Sequence, residues 1–385
     1  MIRDDKEHAE RRRVLLQGLP VGRQAFDVVN ETASCLASLL AEHSAPGPEW
    51  STSIDISEYV RWFSFDFISK ISFGESLSLL DSPENRWLPG CLEETSKFVY
   101  PAGYAGWPGF WQWFTFSRLP HVFRISTAVW TQKYSEFVAS LFHKRVERKD
   151  SSFKGGQQTE PQDLIGHLLA AGRYNEPDLL ADSQLLVAAG SDAVRFGICG
   201  TIFYLLRYPR SMEKVVAEIR AAVAPKQEIS EPGLKNLTYL RACIDETLRL
   251  LPPKPSSIPR EVGQGGIDID GHHFQPGDTV GICIYSLHRD PGIYPDPDTF
   301  KPERWAEAAK RLEMRRAFCP FLKGPRMCPG AEIAYRAMIL VLVQVLSRFD
   351  IRDASGRMSE QDEYPFKDFI IAFANGPEIQ IRERG

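Results

Sequence analysis

The segment Phe321-Leu-Lys-Gly324-Pro-Arg326-Met-Cys328-Pro-Gly330 lies directly before an apolar helical stretch that begins at Ala331. It fits the pattern F-x-x-G-x-R-x-C-x-G, and its reading turns on Cys328. A thiolate kept for chemistry needs a rigid loop, backbone N–H groups turned toward sulfur, and the positive end of a helix close by. Gly324 and Gly330 permit close turns and a close approach of backbone to a bound group. Arg326 is placed for a charge-assisted hydrogen bond to an anion. The competing reading is an inert, buried cysteine beside a turn, the commoner fate of a lone Cys. Five fixed residue types in ten positions weigh against it, since chance agreement anywhere in the chain is on the order of one in ten thousand. Cys319, nine residues earlier, has no such surroundings and reads as core.

Three other stretches lie upstream. Glu246-Thr-Leu-Arg249 places a carboxylate and a guanidinium at i and i+3, on one helical face, where they can pair. Alone, such a pattern reads equally well as a surface ion pair. Pro302-Glu303-Arg304-Trp305 supplies a second guanidinium. The long apolar run Asp182 to Arg207 reads as one helix of 26 residues through the middle of the protein, carrying Ala189-Gly190-Ser191-Asp192-Ala193-Val194.

In this order, the four stretches resemble the cytochrome P450 superfamily. The resemblance runs from the first helix to the last strands and is strongest with fungal biosynthetic members. It implies a mainly α fold with a minor β part, one helical domain spanning 1–385 around a haem. The implied cofactor is haem b, iron protoporphyrin IX, with Cys328 as axial ligand and Phe321, Gly324 and Gly330 shaping its loop. Arg326, Arg260, Arg12 and His8 are the implied propionate partners; the competing reading for each is a solvated or locally paired charge. Glu246, Arg249 and Arg304 form the family's Glu-Arg-Arg cluster, which holds the fold around the haem rather than reacting. Gly190 and Ala189 leave room for dioxygen over the haem, and Asp192 delivers protons to it. A structural pair between Asp192 and Arg195 is the rival reading.

One departure stands out, because Ala193 occupies the family's usual Thr position and can neither donate nor accept a hydrogen bond. Ser191 and Thr201 are the nearest hydroxyls, and neither is an obvious substitute. The proton path therefore uses a substrate hydroxyl or ordered water, or the reaction is atypical. Leu186, Ala189, Ala193, Pro255, Ser256, Ser257, Ile258 and Ile370 are the implied substrate-pocket residues. The implied activity is insertion of one oxygen atom from O2 into a lipophilic small molecule, in a fungal secondary-metabolite pathway. Two readings stay open beside it: a peroxide-dependent or non-oxygenating haem-thiolate enzyme, and an inactive haem-binding remnant.

Composition agrees with an ordinary globular enzyme. Of 385 residues, 43% are hydrophobic, 25% charged and 11% aromatic, enough to bury a large core. The net charge of −4 provides no positive field for a nucleic-acid backbone. Seven scattered cysteines with no CxxC pair are neither a disulfide framework nor a zinc site. Gly263-Gln-Gly-Gly266 fits no nucleotide loop. Nothing else in the chain reads as an NADPH or flavin site, so the electrons come from another protein. By resemblance that protein is an NADPH-dependent cytochrome P450 reductase; Lys323, Arg315 and Arg316 near the Cys loop read either as part of its basic docking face or, equally well, as a solvated surface. His272-His273, in a hairpin turn, is a poor metal site; His288-Arg-Asp290 mimics a kinase triplet without its context and resembles instead the family's H-R-D-P loop before the proline-rich coil.

Length suggests about two and a half domains, whereas the family resemblance implies one. Helices are expected over Gln24–His43, Ile56–Ile71, Ala128–Arg148, Arg210–Val223, Thr238–Leu251 and Ala331–Phe349. A hairpin is expected at Ile267–Phe274, a strand at Thr279–Ile284, coil at Asp290–Trp305 and a strand pair within Phe369–Ile381. Residues 149–163 read as an exposed loop. Relative to the family, the amino-terminal anchor and first helices are expected to be absent, about 100 residues. The family's typical location is the endoplasmic-reticulum membrane; with no anchor, the chain as it stands is cytoplasmic or peripheral.

Overall fold

Capping and apolar spacing together set the helices of the computed structural model, which describes residues 4–20, 22–44, 49–105, 108–122, 125–152, 163–223, 230–306, 308–356, 363–369 and 371–384. Helix α1 (Asp5–Gly18) starts where the Asp4 carboxylate accepts the Glu7 N–H. Helix α2 (Gly22–Ala41) buries Phe26, Val29, Ala33, Leu36 and Leu40, a stripe with helical spacing. Helix α3 (Ile56–Phe73) is capped by Asp55 and stopped by Gly74, whose φ of 75° is the left-handed conformation that glycine takes without cost. Then come α4 (Leu88–Tyr104), α5 (Pro108–Phe116), α6 (Leu119–Val122), α7 (Ser126–Ser152) and α8 (Leu164–Ala171).

Helix α9 (Glu176–Arg207) has 32 residues, about 48 Å at 1.5 Å per residue. It begins six residues before the expected Asp182, because Asn175 caps it and Pro177 is tolerated in its first turn. Its first half packs in an apolar cluster with α1, α3, α4, α7 and α8, and its second half in a larger cluster with α2, α3 and two later helices, α12 (Thr238–Leu250) and α15 (Ala331–Arg348). Among the described residues it is the one helix long and apolar enough to cross a membrane, but it is mostly buried inside the protein. The helices α10 (Pro209–Ala222), α11 (Glu231–Leu234), α12 (Thr238–Leu250), α13 (Ile284–Leu287), α14 (Ala308–Ala317) and α15 (Ala331–Arg348) complete the set.

The sheets are small and antiparallel. Strands β1 (Ile54–Asp55), β9 (Glu378–Glu383) and β6 (Phe349–Asp353) form one sheet, with Ile54 opposite Ile379 and Ile351 opposite Ile381. Strands β2 (Arg260–Glu261) and β5 (Thr279–Val280) pair, as do β3 (Ile267–Ile269) and β4 (His272–Phe274), and β7 (Lys367–Phe369) and β8 (Ile371–Phe373).

Several expectations need correction. The strands within Phe369–Ile381 do not pair with each other: β8 returns on β7, whereas β9 joins β6 and β1, where Ile379 and Ile381 become buried. The expected strand Thr279–Ile284 is cut to two residues, and Ile284 begins a helix. The Asp290–Trp305 coil ends in a 3-10 turn at Pro302–Trp305. Of the expected exposed loop 149–163, residues 149–152 continue α7 and Asp163 is the buried cap of α8, while 153–162 lie outside the described residues.

Candidate functional site

The Cys328 loop is closed by its own backbone. Cys328 N–H donates to the Phe321 carbonyl at 2.9 Å, Leu322 N–H to Cys319 at 3.0 Å, and Met327 N–H to Gly324 at 3.0 Å. Two residues take left-handed conformations to make these turns: Gly324 (φ 79°), where glycine is suited, and Leu322 (φ 62°), where a branched side chain is strained. The loop sets the sulfur against Gly330, the residue before α15; a Cβ built on Gly330 would lie 3.9 Å from Sγ. Burial pushes the Cys328 thiol pKa up, while the Gly330 N–H and the Arg12 charge work against that rise. A thiol in this balance gives up its proton most readily when a metal takes the sulfur.

Beside the loop lies a cavity of about 790 Å³ lined by His8, Arg12, Arg13, Arg260, Lys323 and Arg326, with Asp5 as its acidic member. The structure thus brings the four expected propionate partners to one cavity, although they come from positions 8 to 326. Arg12 Nη1 donates to the Met327 carbonyl at 2.5 Å, tying α1 to the residue before Cys328. Arg326 Nη2 donates to Asp5 at 2.9 Å. Arg11 braces the other side of α1, bonding Asp182 Oδ2 at 2.6 Å and the Asp178 carbonyl at 2.9 Å on α9. Burial lowers the pKa of His8, helped by Arg326 and Arg12. Cationic groups on the cavity wall, tied through Arg12 to the residue before Cys328, fit a group with two carboxylates, and the cysteine suits a thiophilic metal; an iron porphyrin has both.

The Glu246 cluster is fully formed. Arg249 donates to both Glu246 oxygens at 3.0 and 2.9 Å, and Arg304 Nε donates to Oε1 at 2.8 Å. Two further donors were not foreseen: the Trp305 indole to Oε2 at 2.9 Å and the Lys301 N–H to Oε1 at 3.0 Å. The remaining guanidinium N–H groups reach carbonyls of His288, Pro297 and Thr299 from Arg249, and of Pro295, Asp296 and Thr299 from Arg304.

On α9, Asp192 is 1% exposed and accepts from Arg195 Nε at 2.8 Å, with Arg61 of α3 3.8 Å away. The pair with Arg195 is thus realised, and Asp192 has no open route to bulk solvent through its own exposure. The expectation for Gly190 is corrected, because a Cβ there would come within 2.4 Å of the Ile68 side chain. Its smallness lets α3 approach α9. Ala189 and the adjacent Leu185, 64% exposed, face open space instead. Both spare hydroxyls are spent on their own helix, Ser191 on the Val187 carbonyl and Thr201 on that of Gly197, each at 2.8 Å.

The implied substrate residues are dispersed. Leu186 packs at the edge of the α1/α4/α7 cluster, and Ala193 is half-buried. Pro255, Ser256, Ser257 and Ile258 lie between α12 and β2, with Pro255 buried. Ile370 lies outside the described residues. Lys323, Arg315 and Arg316 are exposed, and Lys323 Nζ holds the Arg315 carbonyl at 2.7 Å. His273 pairs with Asp268 at 2.8 Å, and no metal-binding cluster of His, Cys, Asp and Glu occurs among the described residues.

Fold and site together define a haem-thiolate oxidoreductase. The cytochrome P450 family model matches residues 1–374. A cytochrome P450 monooxygenase of Gibberella zeae is 32% identical over 99% of this chain and 90% of its own length. Cytochrome P450 monooxygenase fscF of Fusarium equiseti is 29% identical over 100% of this chain and 76% of its own. The crystal structure of the cytochrome P450DA heme domain superposes with a TM-score of 0.78 at 18% identity, covering 97% of this chain and 77% of that one, a likeness of fold. The chain belongs to the cytochrome P450 family, and it is a haem-containing monooxygenase.

Sequence reasoning missed Arg61, Trp305, Lys301 and His288. Trp305 and Lys301 flank an already recognised motif and could have been found by asking which donors fill the remaining Glu246 lone pairs. Arg61 gives no local signal, and His288 is visible only as part of the H-R-D-P loop, without its contacts, since the partners of both are remote in sequence.

Proposed function

We propose that this enzyme inserts one oxygen atom from O2 into a lipophilic small molecule of a fungal secondary-metabolite pathway. It uses haem b ligated by Cys328 and electrons from an NADPH-dependent cytochrome P450 reductase. The observation that carries this is the cationic cavity tied to the Cys loop by the Arg12–Met327 hydrogen bond. Bound through a thiolate, the haem supplies oxygen activation, the sulfur donating electron density that favours O–O cleavage. The protein's own residues do the rest. Arg12, Arg260, Arg326 and His8 hold the propionates, and Phe321, Gly324 and Gly330 hold the sulfur in register. Following the resemblance, Ala189, Ala193, Leu186 and the Pro255 to Ile258 turn contribute to the substrate lining, with Ala189 exposed on α9. Lys323, Arg315 and Arg316 present positive charge to an acidic electron donor.

Proton supply has one candidate group. Asp192 Oδ2 is buried and has no partner among the described residues, so it is free to bind a water that passes protons toward the Ala193 side of α9. With Ala193 in place of a hydroxyl, that water or a substrate hydroxyl completes the path.

The test is reconstitution of the purified chain with haem. We expect a thiolate-type carbon monoxide spectrum that Cys328→Ser abolishes, and turnover that requires NADPH and reductase. Turnover driven by peroxide alone, or by no oxidant, would replace this reading with one of the alternatives. Absence of the thiolate-type spectrum in the parent protein would remove the Cys328 assignment.

A further inference from the structure

His288 lies outside the cysteine loop and outside the Glu246 cluster, yet it touches both. Its ring is fully buried. Nδ1 is 3.2 Å from the Arg249 carbonyl, and Nε2 is 2.9 Å from the backbone nitrogen of Cys319. An amide nitrogen can only donate, so Nε2 is the acceptor and the proton sits on Nδ1, where it is donated to Arg249. Arg249 returns the contact, giving Nη1–H to the His288 carbonyl at 2.8 Å. The imidazole also stacks on Phe318, with ring centres 5.4 Å apart and planes at 28°. Phe318 in turn packs on Trp305, the indole that serves Glu246.

Cys319 is where the cysteine loop begins. Its carbonyl accepts from Leu322, the strained left-handed residue, and two residues after Cys319 the Phe321 carbonyl accepts the Cys328 N–H. A peptide unit fixed at Cys319 therefore fixes the start of the turn that delivers sulfur. Among the described residues the Glu246 cluster makes no hydrogen bond to the loop itself, and His288 is a side chain bonded to both.

We propose that His288 is a positioning residue for the iron ligand: its neutral, Nδ1-protonated imidazole transmits the rigidity of the Glu246–Arg249–Arg304 cluster to Cys319 and so holds the Cys328 loop in ligating register. The proposal rests on Cys328 as the ligand, and its test keeps the two apart. Gln places a carboxamide oxygen near the position of Nε2 and keeps an acceptor for the Cys319 N–H. Asn reaches only the Nδ1 position, so it keeps the bond to Arg249 and loses the one to Cys319.

The experiment compares haem-loaded parent, His288→Gln and His288→Asn at equal haem content. The readout is the rate at which the thiolate-type band of the ferrous carbon monoxide complex gives way to the neutral-thiol type. His288→Asn should lose the thiolate-type band about tenfold faster, the factor that corresponds to one hydrogen bond of ordinary net worth, and His288→Gln should restore most of the difference. Equal rates in all three, with the parent band present, would overturn the proposal; so would equal loss in both variants, which would reduce His288 to a packing residue. A parent with no thiolate-type band would instead refute the Cys328 assignment. Should the variants not fold, amide hydrogen exchange in the parent holoprotein decides. Strong protection of the Cys319 N–H supports the bond, and exchange at the rate of an open loop overturns it.

Discussion

Two buried carboxylates in this protein are built alike. Glu246 on α12 and Asp192 on α9 each accept from an arginine three residues later, and each has a second guanidinium nearby from another element, Arg304 and Arg61. Their accounts close differently. Glu246 takes five hydrogen bonds from four residues, and among the described residues no buried Glu246, Arg249 or Arg304 side-chain atom is left without one. Around Asp192, three buried atoms lack a hydrogen-bond partner among the described residues: Asp192 Oδ2, Arg195 Nη2 and Arg61 Nε. A low-dielectric interior rewards the first arrangement and penalises the second unless water or chemistry fills the gap. The first is what a scaffold needs, and the second is what the proposed proton-handling role of Asp192 needs.

That contrast can be broken by experiment. The largest effect is expected from Glu246→Gln, which leaves two buried guanidiniums without their counter-charge and should cost about 3–5 kcal/mol, read as loss of haem-loaded protein or a large drop in denaturation midpoint. Next is acid. Burial lowers the His288 pKa from 6.5 to about 4. Between those values the unfolded chain binds the proton and the native one does not, so stability is present above pH 6.5 and falls as pH drops toward 4. The loss is about 3 kcal/mol in all, and His288→Gln should remove that part of the pH slope in denaturant titrations. Third, Asp192→Asn also strips buried Arg195 of its counter-charge and should cost about 3 kcal/mol, less than Glu246→Gln because one guanidinium rather than two is bonded to it, but it should in addition slow turnover and raise the solvent isotope effect. If Asp192→Asn instead matches Glu246→Gln in stability and leaves the isotope effect alone, the two clusters do the same work. Ala193→Thr sharpens the same point, because a restored hydroxyl should raise the fraction of NADPH that ends in product, and unchanged coupling would count against the water-based path. Smallest in stability is Gly190→Ala, which drives a methyl into Ile68 and should destabilise by about 1–3 kcal/mol, with Ile68→Ala in the same chain recovering part of it.

Legibility followed the range of the interactions. Glu246 and Arg249 are three apart on one helix, so their pairing could be read directly, and the Cys328 loop carries its chemistry within ten residues. Long-range partners were invisible. Phe369–Ile381 alternates as strands do, but alternation does not name a neighbour, and β9 found β6 and β1 rather than β8. Gly190 advertised a close approach without saying to what, and Ile68 is 122 positions away in sequence. The start of α9 was set too late because Glu176 to Ala181 lacks a clear apolar period, although the Asn175 cap and Pro177 are start signals.

The bond between Arg12 and the Met327 carbonyl spans 315 positions, and that between Arg326 and Asp5 spans 321. A ribosome delivers the first half of each pair long before the second. The cationic wall that α1 contributes must therefore wait, solvated and without its partner loop, until residues 326 to 328 have emerged. On the proposed assignment, a chain stalled before Cys328 would hold half of the cationic wall but no sulfur to anchor what it attracts.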